Sequence, residues 1–158
     1  MSVLVDSNIL VFISNPQSPV YQEALDAIKI LRQRGETPHI IAQNLIEFWA
    51  VATRPVNSRG LGMTIAQAQA ELTRIKSLFL LLPDSPAIYP EWEKLVVRHG
   101  VSGKNAHDTR IAAAMNVHGI TALLTANKND FKRFQGITAI DPVVVISQQP
   151  PTTSTQVK

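Results

Sequence analysis

Four carboxylates occupy positions where a negative charge calls for an explanation. Asp6 interrupts the apolar run "VLVDSNIL", Glu47 lies in "QNLIEFWAVATR", Asp108 in "NAHDTRIAAAM" and Asp130 in "LLTANKNDF". Burying a carboxylate is costly unless a cation or hydrogen bonds compensate for the charge. If these groups converge, they repel one another, and a divalent ion would relieve the repulsion. Hard oxygen ligands with little histidine favour Mg²⁺ or Mn²⁺ over zinc.

Two of these acids have ordinary alternatives that carry similar weight. Asp6 follows a short apolar segment, so "DSN" could form an Asx turn, or Asp6 could cap the next element. Its place at the end of a predicted strand slightly favours a functional role. Asp108 heads the helical stripe of Ile111, Ala112 and Met115, which should face inward. A first-turn acid favoured by the helix dipole explains Asp108 equally well.

The other two acids are weaker signals when taken alone. Glu47 shares a polar stripe with Gln43 and Arg54, and such stripes usually form a solvated helix face. The remaining circumference of that helix is strongly apolar, which predicts that the helix is largely buried. Asp130 lies in a segment typical of a turn leading into a short helix, with Phe131 and Phe134 as core anchors.

Familiar alternatives to an acidic metal site are missing from the sequence. There are no cysteines, which excludes disulfides, thiolate metal sites and cysteine nucleophiles. The four histidines do not show HExxH spacing, and we interpret them as surface or core residues. The sequence also contains neither a GxGxxG nor a GxxxxGK[ST] phosphate loop, and no GxSxG nucleophile elbow.

The elements that must position these acids alternate between strands and helices. Strands are predicted at residues 2–6, 38–42, 78–83, 121–126 and 139–146, and the strand at 78–83 is expected to be buried. Helices are predicted from Ser18 to Gly35, over 43–54, from Thr64 to the late seventies, from Pro86 or Pro90 to Gly100, and over 105–119. Their end signals are Ser18 as an N-cap, Thr64 with Gln67 as a capping box, and Gly119 as a C-cap. This alternation indicates an α/β fold whose parallel sheet is covered on both faces, with sites at the carboxyl ends of the strands.

Composition sets the remaining limits. The chain has 158 residues, 45% of them hydrophobic, which suits one domain; we assign it to residues 1–146. The polar, proline-containing segment 147–158 is predicted to be a disordered tail. No transmembrane or signal segment is predicted, so we expect a cytoplasmic protein. The net charge of +3 is compatible with a nucleic-acid partner without establishing one.

The ordered set of motifs resembles the PIN-domain ribonucleases, and specifically the VapC-type toxins of bacterial toxin–antitoxin pairs. It comprises "VDSNIL", the acid in "QNLIEFWAVATR" and the block "HDTRIAAAMNVHGITALLTANKNDF". The resemblance extends from Asp6 to about Pro142. It implies a three-layer α/β/α fold with a central, mainly parallel sheet, and an acidic pocket that binds one or two Mg²⁺ or Mn²⁺ ions and cleaves RNA phosphodiester bonds.

The resemblance also assigns roles. Asp6, Glu47 and Asp108 match the first three acids of the family pattern, as catalytic and metal-binding residues. Many members carry aspartate where this chain has Asn127, so the fourth role falls to Asp130 or is shared with Asn127. Two further polar residues match positions that support the acids: Asn8 and Thr125.

A metal-activated water would attack the RNA phosphodiester in this scheme. Basic residues close to the acids in sequence are candidates for phosphate contacts: Lys104, Arg110, Lys128, Lys132 and Arg133. A structured RNA loop is a plausible target, since sequence-specific recognition usually addresses unpaired bases. The resemblance further implies an antitoxin protein that occupies the acidic groove, and a homodimer.

Three rival functions stay open. A phosphatase of the haloacid-dehalogenase type would use Asp6 as a covalent nucleophile, but its D-x-D-x-T start is not matched at Asn8 and Leu10. A non-catalytic PIN-like module would bind RNA or protein without cutting, although four retained acids argue against it. A DNA or flap nuclease is less favoured because the chain is short and lacks added DNA-gripping elements.

Overall fold

A computed structural model describes residues 1–148, and these form one parallel sheet with helices on both faces. The strands are β1 (Ser2–Val5), β2 (Thr37–Ile41), β3 (Leu80–Leu82), β4 (Ala122–Leu124) and β5 (Thr138–Ile140). The helices are α1 (Ser7–Ile13), α2 (Tyr21–Gln33), α3 (Ala42–Ala52), α4 (Ile65–Leu78), α5 (Ile88–His99), α6 (Asn105–His118) and α7 (Pro142–Ser147). Short 3-10 helices cover Val56–Ser58 and Lys128–Phe131.

The strand order is β3-β2-β1-β4-β5, and every neighbouring pair is parallel. Successive strands add outward from β1 first on one side and then on the other. The direction of winding therefore reverses between β1 and β4, and this is where doubly wound sheets form a crevice at their carboxyl edge. The predicted α/β fold with a central parallel sheet is confirmed.

Alternate side chains of β1 pack into two separate hydrophobic cores, one on each face of the sheet. The molecule therefore has three layers, with the sheet between two layers of helices. Val3 and Val5 pack with apolar residues of α1, α2, α3, α4 and α7. Leu4 points to the other face and packs with α5, α6 and Phe131. The side chains of Val3, Leu4 and Val5 are fully buried, as expected for a central strand of a parallel sheet.

Several predicted boundaries hold and have visible causes. Thr64 and Gln67 form the predicted capping box at the start of α4. Gly119 ends α6 in the left-handed conformation with φ 69°, as its predicted C-cap role requires. Phe131 and Phe134 are buried, as predicted for core anchors.

Other predictions of local structure are wrong. The strand predicted over 139–146 ends at Ile140, and α7 follows, because Asp141 caps it and Pro142 occupies its first turn. Helix α1 was not predicted at all. Strand β3 was expected to be buried, but it lies at the sheet edge, where Leu80 is 58% exposed.

Two helix starts also differ from prediction. Ser18 does not cap α2, which begins at Tyr21; the Ser18 hydroxyl instead accepts a hydrogen bond from the Val20 amide. Helix α5 begins at Ile88, at neither of the predicted prolines. Helix α7 ends at Ser147, which is the first residue of the predicted tail 147–158. Residues 149–158 of that tail lie outside the described residues. Among residues 1–148, no helix has the length and apolar character needed to cross a membrane.

Candidate functional site

The carboxyl ends of β1 and β4 bring Asp6 and Thr125 together. Asp6 is 4% exposed and Thr125 is fully buried. The Thr125 hydroxyl donates to Asp6 Oδ2 at 2.8 Å, and the Ser7 amide donates to Oδ1 at 2.7 Å. Asp6 is therefore both the N-cap of α1 and a residue of the crevice between β1 and β4. These bonds offset part of the cost of burying its charge.

Asn8 ties the same two loops together. Its Nδ2 lies 3.4 Å from Asp6 Oδ2 and 3.2 Å from Thr125 Oγ1, and its Oδ1 accepts from the Ala126 amide at 3.2 Å. Thr125 Oγ1 also accepts from the Asn127 amide at 3.1 Å, so its one hydrogen and both lone pairs are used. The network fixes the Asp6 oxygens in position, in keeping with the supporting roles expected for Asn8 and Thr125.

Glu47, on α3, is held by two hydrogen bonds from other residues. Ser7 Oγ donates to Oε2 at 2.8 Å, and Gln43 Nε2 donates to Oε1 at 2.8 Å. Ser7 thus bridges Asp6 and Glu47, since its amide donates to one and its hydroxyl to the other. Two acids separated by 41 positions in the chain thereby share one intervening residue.

Asp108 carries the electrostatic signature of the crevice. It lies in the first turn of α6 and is half-buried. Burial raises its pKa from 3.8 to about 6, and the negative charges of Asp130, Asp6 and Glu47 add to the rise, against a smaller lowering by His107. All three of the other predicted acids therefore act on this one carboxyl group.

Burial also raises the pKa of Asp6. Hydrogen bonds from Thr125 and Ser7 oppose this rise, and the Glu47 charge adds to it. Two carboxyl groups with raised pKa values, each acted on by Glu47, mark this crevice as a place where negative charge is crowded. Crowding of this kind is typical of functional sites.

The acids are close enough to repel, yet they do not form a finished cage. Among residues 1–148, no three acidic or histidine side chains are grouped so as to ligate one metal ion directly. Asp130 is exposed on its 3-10 helix, and Asn127, exposed at the start of that helix, contributes its backbone amide to Thr125. The four acids thus interact through their charges without a group of three that could ligate one ion.

An open groove of about 640 Å³ leads away from these acids. Glu47 and Asp108 line it together with Ile46, which is 68% exposed, and Arg110. Helix α3 was expected to be largely buried because it is apolar on most sides. Instead it turns Ile46 and Ala50 toward this groove.

Of the predicted phosphate-contacting residues, four are exposed around the site and Arg110 is half-buried at the groove; the exposed ones are Lys104, Lys128, Lys132 and Arg133. Lys104 immediately precedes α6, and Lys128 belongs to the same 3-10 helix as Asp130. Both are therefore next to the elements that carry Asp108 and Asp130.

Sequence reasoning missed two residues that organise the site, Ser7 and Gln43. The Gln43 side chain is buried and donates to Glu47 Oε1 and to the His107 carbonyl, both at 2.8 Å. Its position four residues before Glu47 was the available signal, because such residues are neighbours on a helix. For Ser7, the signal was its place between Asp6 and Asn8.

The family model of the PIN domain matches residues 3–137, which include every acid of the site. The chain belongs to the PIN-domain family. The predicted resemblance is thereby confirmed at the level of the family, and the fold agrees with it. A search of curated proteins found no match to the sequence.

Solved structures of other PIN-fold proteins share this architecture. VapBC2 from Rickettsia felis, bound to a DNA fragment from its promoter, is 20% identical, with 89% of this chain and 98% of that chain covered and a TM-score of 0.66. DNA-bound VapBC from Salmonella typhimurium is 17% identical, with 90% and 98% covered and a TM-score of 0.66. VapC20 from Mycobacterium tuberculosis, a toxin that cleaves the sarcin-ricin loop, is 16% identical, with 77% and 86% covered and a TM-score of 0.57. Identities this low establish the shared fold.

Proposed function

We propose that this PIN-domain protein is a Mg²⁺- or Mn²⁺-dependent endoribonuclease that cleaves RNA phosphodiester bonds, and that it is the toxin of a type II toxin–antitoxin pair. The observation that carries the proposal is the pKa of Asp108. Burial is the main cause of its rise, and three acids from separate elements add to it, at the carboxyl edge of the sheet where ligands of doubly wound folds bind. Crowded carboxylates are tolerated at neutral pH when a cation balances them.

The donor set fits Mg²⁺ in particular. Mg²⁺ keeps several of its waters and usually binds through one or two carboxylates plus substrate phosphates, without an all-protein cage. Acids that interact electrostatically but do not group in threes agree with that mode of binding. Asp6, Glu47 and Asp108 would hold the ion directly or through water, and Asp130, alone or with Asn127, would fill the fourth position.

When bound, the ion would lower the pKa of a water and stabilise charge on the phosphate in the transition state. The protein's own residues would supply the positioning. Thr125, Asn8 and the Ser7 amide fix the Asp6 oxygens, while Ser7 Oγ and Gln43 fix those of Glu47. Loss of a partner that orients a ligand in this way typically costs about 10- to 100-fold in metal affinity or activity.

RNA is the substrate that the surroundings favour. The exposed lysines beside Asp108 and Asp130 could contact phosphates on both sides of the acids. The open groove suits an unpaired strand better than a duplex, because sequence-specific proteins usually read RNA in loops and single-stranded segments. VapC20, with the same fold, cleaves the sarcin-ricin loop.

An antitoxin protein is the expected partner, since the solved relatives from Rickettsia felis and Salmonella typhimurium are VapBC complexes. The apolar strip of Ile46 and Ala50 along the acidic groove would suit an inhibitory segment carrying both apolar and basic side chains. A homodimer and a cytoplasmic location complete the proposal.

A non-catalytic module that binds RNA or protein is the second candidate. It is favoured by the exposed apolar side chain of Ile46 in the groove, which a bound protein segment would cover. Such a module would need no divalent ion for its stability or its binding.

Site-directed variants test the first candidate. We expect Asp6→Asn and Asp108→Asn each to abolish Mg²⁺-dependent cleavage of RNA while leaving the thermal unfolding transition cooperative. Asp26→Asn is the matched control, because Asp26 lies on α2, away from the crevice, and accepts a hydrogen bond from Gln22. Wild-type cleavage rates in both site variants would rule out the assignment.

A further inference from the structure

A second, smaller pocket adjoins the acidic groove. It encloses about 340 Å³ and lies between the start of α5 and the start of α6. His107 and Arg110 line both cavities, so the two share part of their wall. The distinctive side chains of the smaller cavity are Tyr89 and Trp92, and we call it the aromatic pocket.

Of the two aromatic side chains of this pocket, Trp92 is anchored by a hydrogen bond and Tyr89 is exposed. Trp92 Nε1 donates to the Ala106 carbonyl at 2.8 Å, which anchors the indole to α6. The Tyr89 and Trp92 ring centroids lie 5.6 Å apart with their planes tilted by 33°. Tyr89 nevertheless remains 64% exposed. A single exposed aromatic is common on protein surfaces, but this one lines a pocket that shares His107 and Arg110 with the acidic groove.

A cationic group lies at the junction of the two cavities. Arg110 donates to Gln43 Oε1 at 3.2 Å and lies 3.4 Å from Asp84 Oδ1. The pair with Asp84 is solvent-exposed and long, so it contributes little and can be exchanged for another anion. A phosphate bound by Arg110 would place the sugar and base on one side of it next to Tyr89 and the scissile bond on the other.

We propose that the Tyr89–Trp92 pocket binds an unpaired nucleobase of the RNA whose phosphodiester lies at the acidic crevice. This proposal rests on the ribonuclease function proposed above. Stacking on an aromatic side chain is the usual way in which proteins hold splayed-out bases. Flat rings joined through an arginine to a carboxylate-lined groove suit a base linked to a phosphate better than they suit an aliphatic side chain.

Fluorescence of 2-aminopurine, incorporated at single positions of a single-stranded oligoribonucleotide, tests this proposal. Binding is measured with Mg²⁺ on the Asp108→Asn background, so that the RNA stays intact. Tyr89→Leu keeps an apolar side chain but removes the flat ring, and we expect it to weaken binding on the order of tenfold and to abolish quenching at one position. Tyr89→Phe should retain both. Val97→Ala, at a 77% exposed position on the same helix, is the control and should change neither.

Other results would overturn the proposal. Equal affinity and quenching for Tyr89→Leu and the parent protein would show that no base stacks there. If Tyr89→Leu changes only the molar mass measured by light scattering, the pocket is a protein contact instead. Cleavage of the oligonucleotide by the Asp108→Asn parent would count against the catalytic assignment. The affinity comparison between Leu and Phe, made with an oligonucleotide whose scissile P–O bond is replaced by a P–CH2 bond that hydrolysis does not break, would still decide the role of Tyr89.

Discussion

The carboxylate of Asp6 both caps a helix and forms part of the crevice. One oxygen accepts from the Ser7 amide at the start of α1, and the other accepts from Thr125 at the end of β4. Capping and participation in a site are often treated as alternative explanations of an acid after a strand. Here the cap fixes the rotamer that points the second oxygen at Thr125, so one role prepares the other.

At the same scale, Asp108 predicts how stability depends on pH. Its folded pKa of about 6 lies above the ordinary 3.8, so between these values the folded state holds a proton that the unfolded state releases. Its contribution to the free energy of unfolding therefore falls as pH rises through about 6 and is constant above that range. Asparagine cannot ionise, so metal-free Asp108→Asn should exceed the wild type by about 1–2 kcal/mol at pH 7.5, allowing for solvent screening.

Urea unfolding in EDTA from pH 4 to pH 8 measures this difference. It should shrink as the pH falls toward 4, because there the wild-type carboxyl group is protonated in the folded state and partly protonated in the unfolded state as well. Asp26→Asn is the matched control and should show no comparable pH-dependent gain. An Asp108→Asn protein that is less stable than the wild type at pH 7.5 would contradict the electrostatic account.

The individual acids were predictable from the sequence, whereas the residues that hydrogen-bond to them and fix their positions were not. Asp6 and Asp108 stand out because a charge interrupts or heads an apolar pattern. Ser7 and Gln43 have ordinary polar side chains, and their importance depends on contacts with residues 40 and 64 positions away. Residues so far apart in the sequence come into contact only through the sheet topology, which no local sequence pattern specifies.

At the scale of elements, Gln43 connects two helices at the crevice. From α3 it donates to Glu47 and to the His107 carbonyl of α6, and it accepts from Arg110. The side chain is buried, so these bonds are shielded from water and are costly to lose. Gln43 therefore sets the distance between the acid of α3 and the first turn of α6.

Replacing Gln43 by Met tests this connection. The substitution keeps the length of the side chain and removes all three hydrogen bonds, so we expect unfolding to become easier by about 1–3 kcal/mol. Because Glu47 loses a partner, cleavage should fall by about 10- to 100-fold. Gln22→Met removes an equivalent i, i+4 bond to Asp26 on the exposed face of α2, and it should cost no more than about 0.5 kcal/mol. Equal effects of the two substitutions on cleavage would contradict the proposed role.

Elements were predictable where capping signals and hydrophobic periodicity agreed. Helix α4 has both a capping box and a clear stop, and it lies where predicted. Helix α7 shows the opposite case, because the β-branched run "VVVI" suggested a strand while Asp141 and Pro142 marked a helix start. Tertiary packing decided in favour of the helix, since Val145 is buried in the core on the α2 side of the sheet. The exposure of β3 followed from strand order, which the sequence does not specify.

The whole molecule combines a net charge of +3 with a local concentration of negative charge. Strand order brings this about, since β1 lies beside β4 and the residues following each meet at one edge. Without a cation, the folded state bears the repulsion among these acids. The stability of the fold is therefore expected to be coupled to divalent-ion binding.

Metal titration tests this coupling and separates the catalytic candidate from the binding-only module. An ion that binds the folded state alone stabilises it by about 2.7 kcal/mol when its concentration is 100-fold above the Kd. Each kcal/mol raises the Tm by about 2–4 °C for a chain of this size.

Mn²⁺ should therefore raise the Tm of the wild type and of Asp26→Asn. The rise should be saturable and should be reversed by EDTA, whereas NaCl at equal ionic strength should produce no rise. The double variant Asp6→Asn with Asp108→Asn should respond little, because its crevice has lost two charges. If Mn²⁺ leaves the wild-type Tm unchanged, the crevice holds no ion, and the non-catalytic module becomes the better account of the molecule.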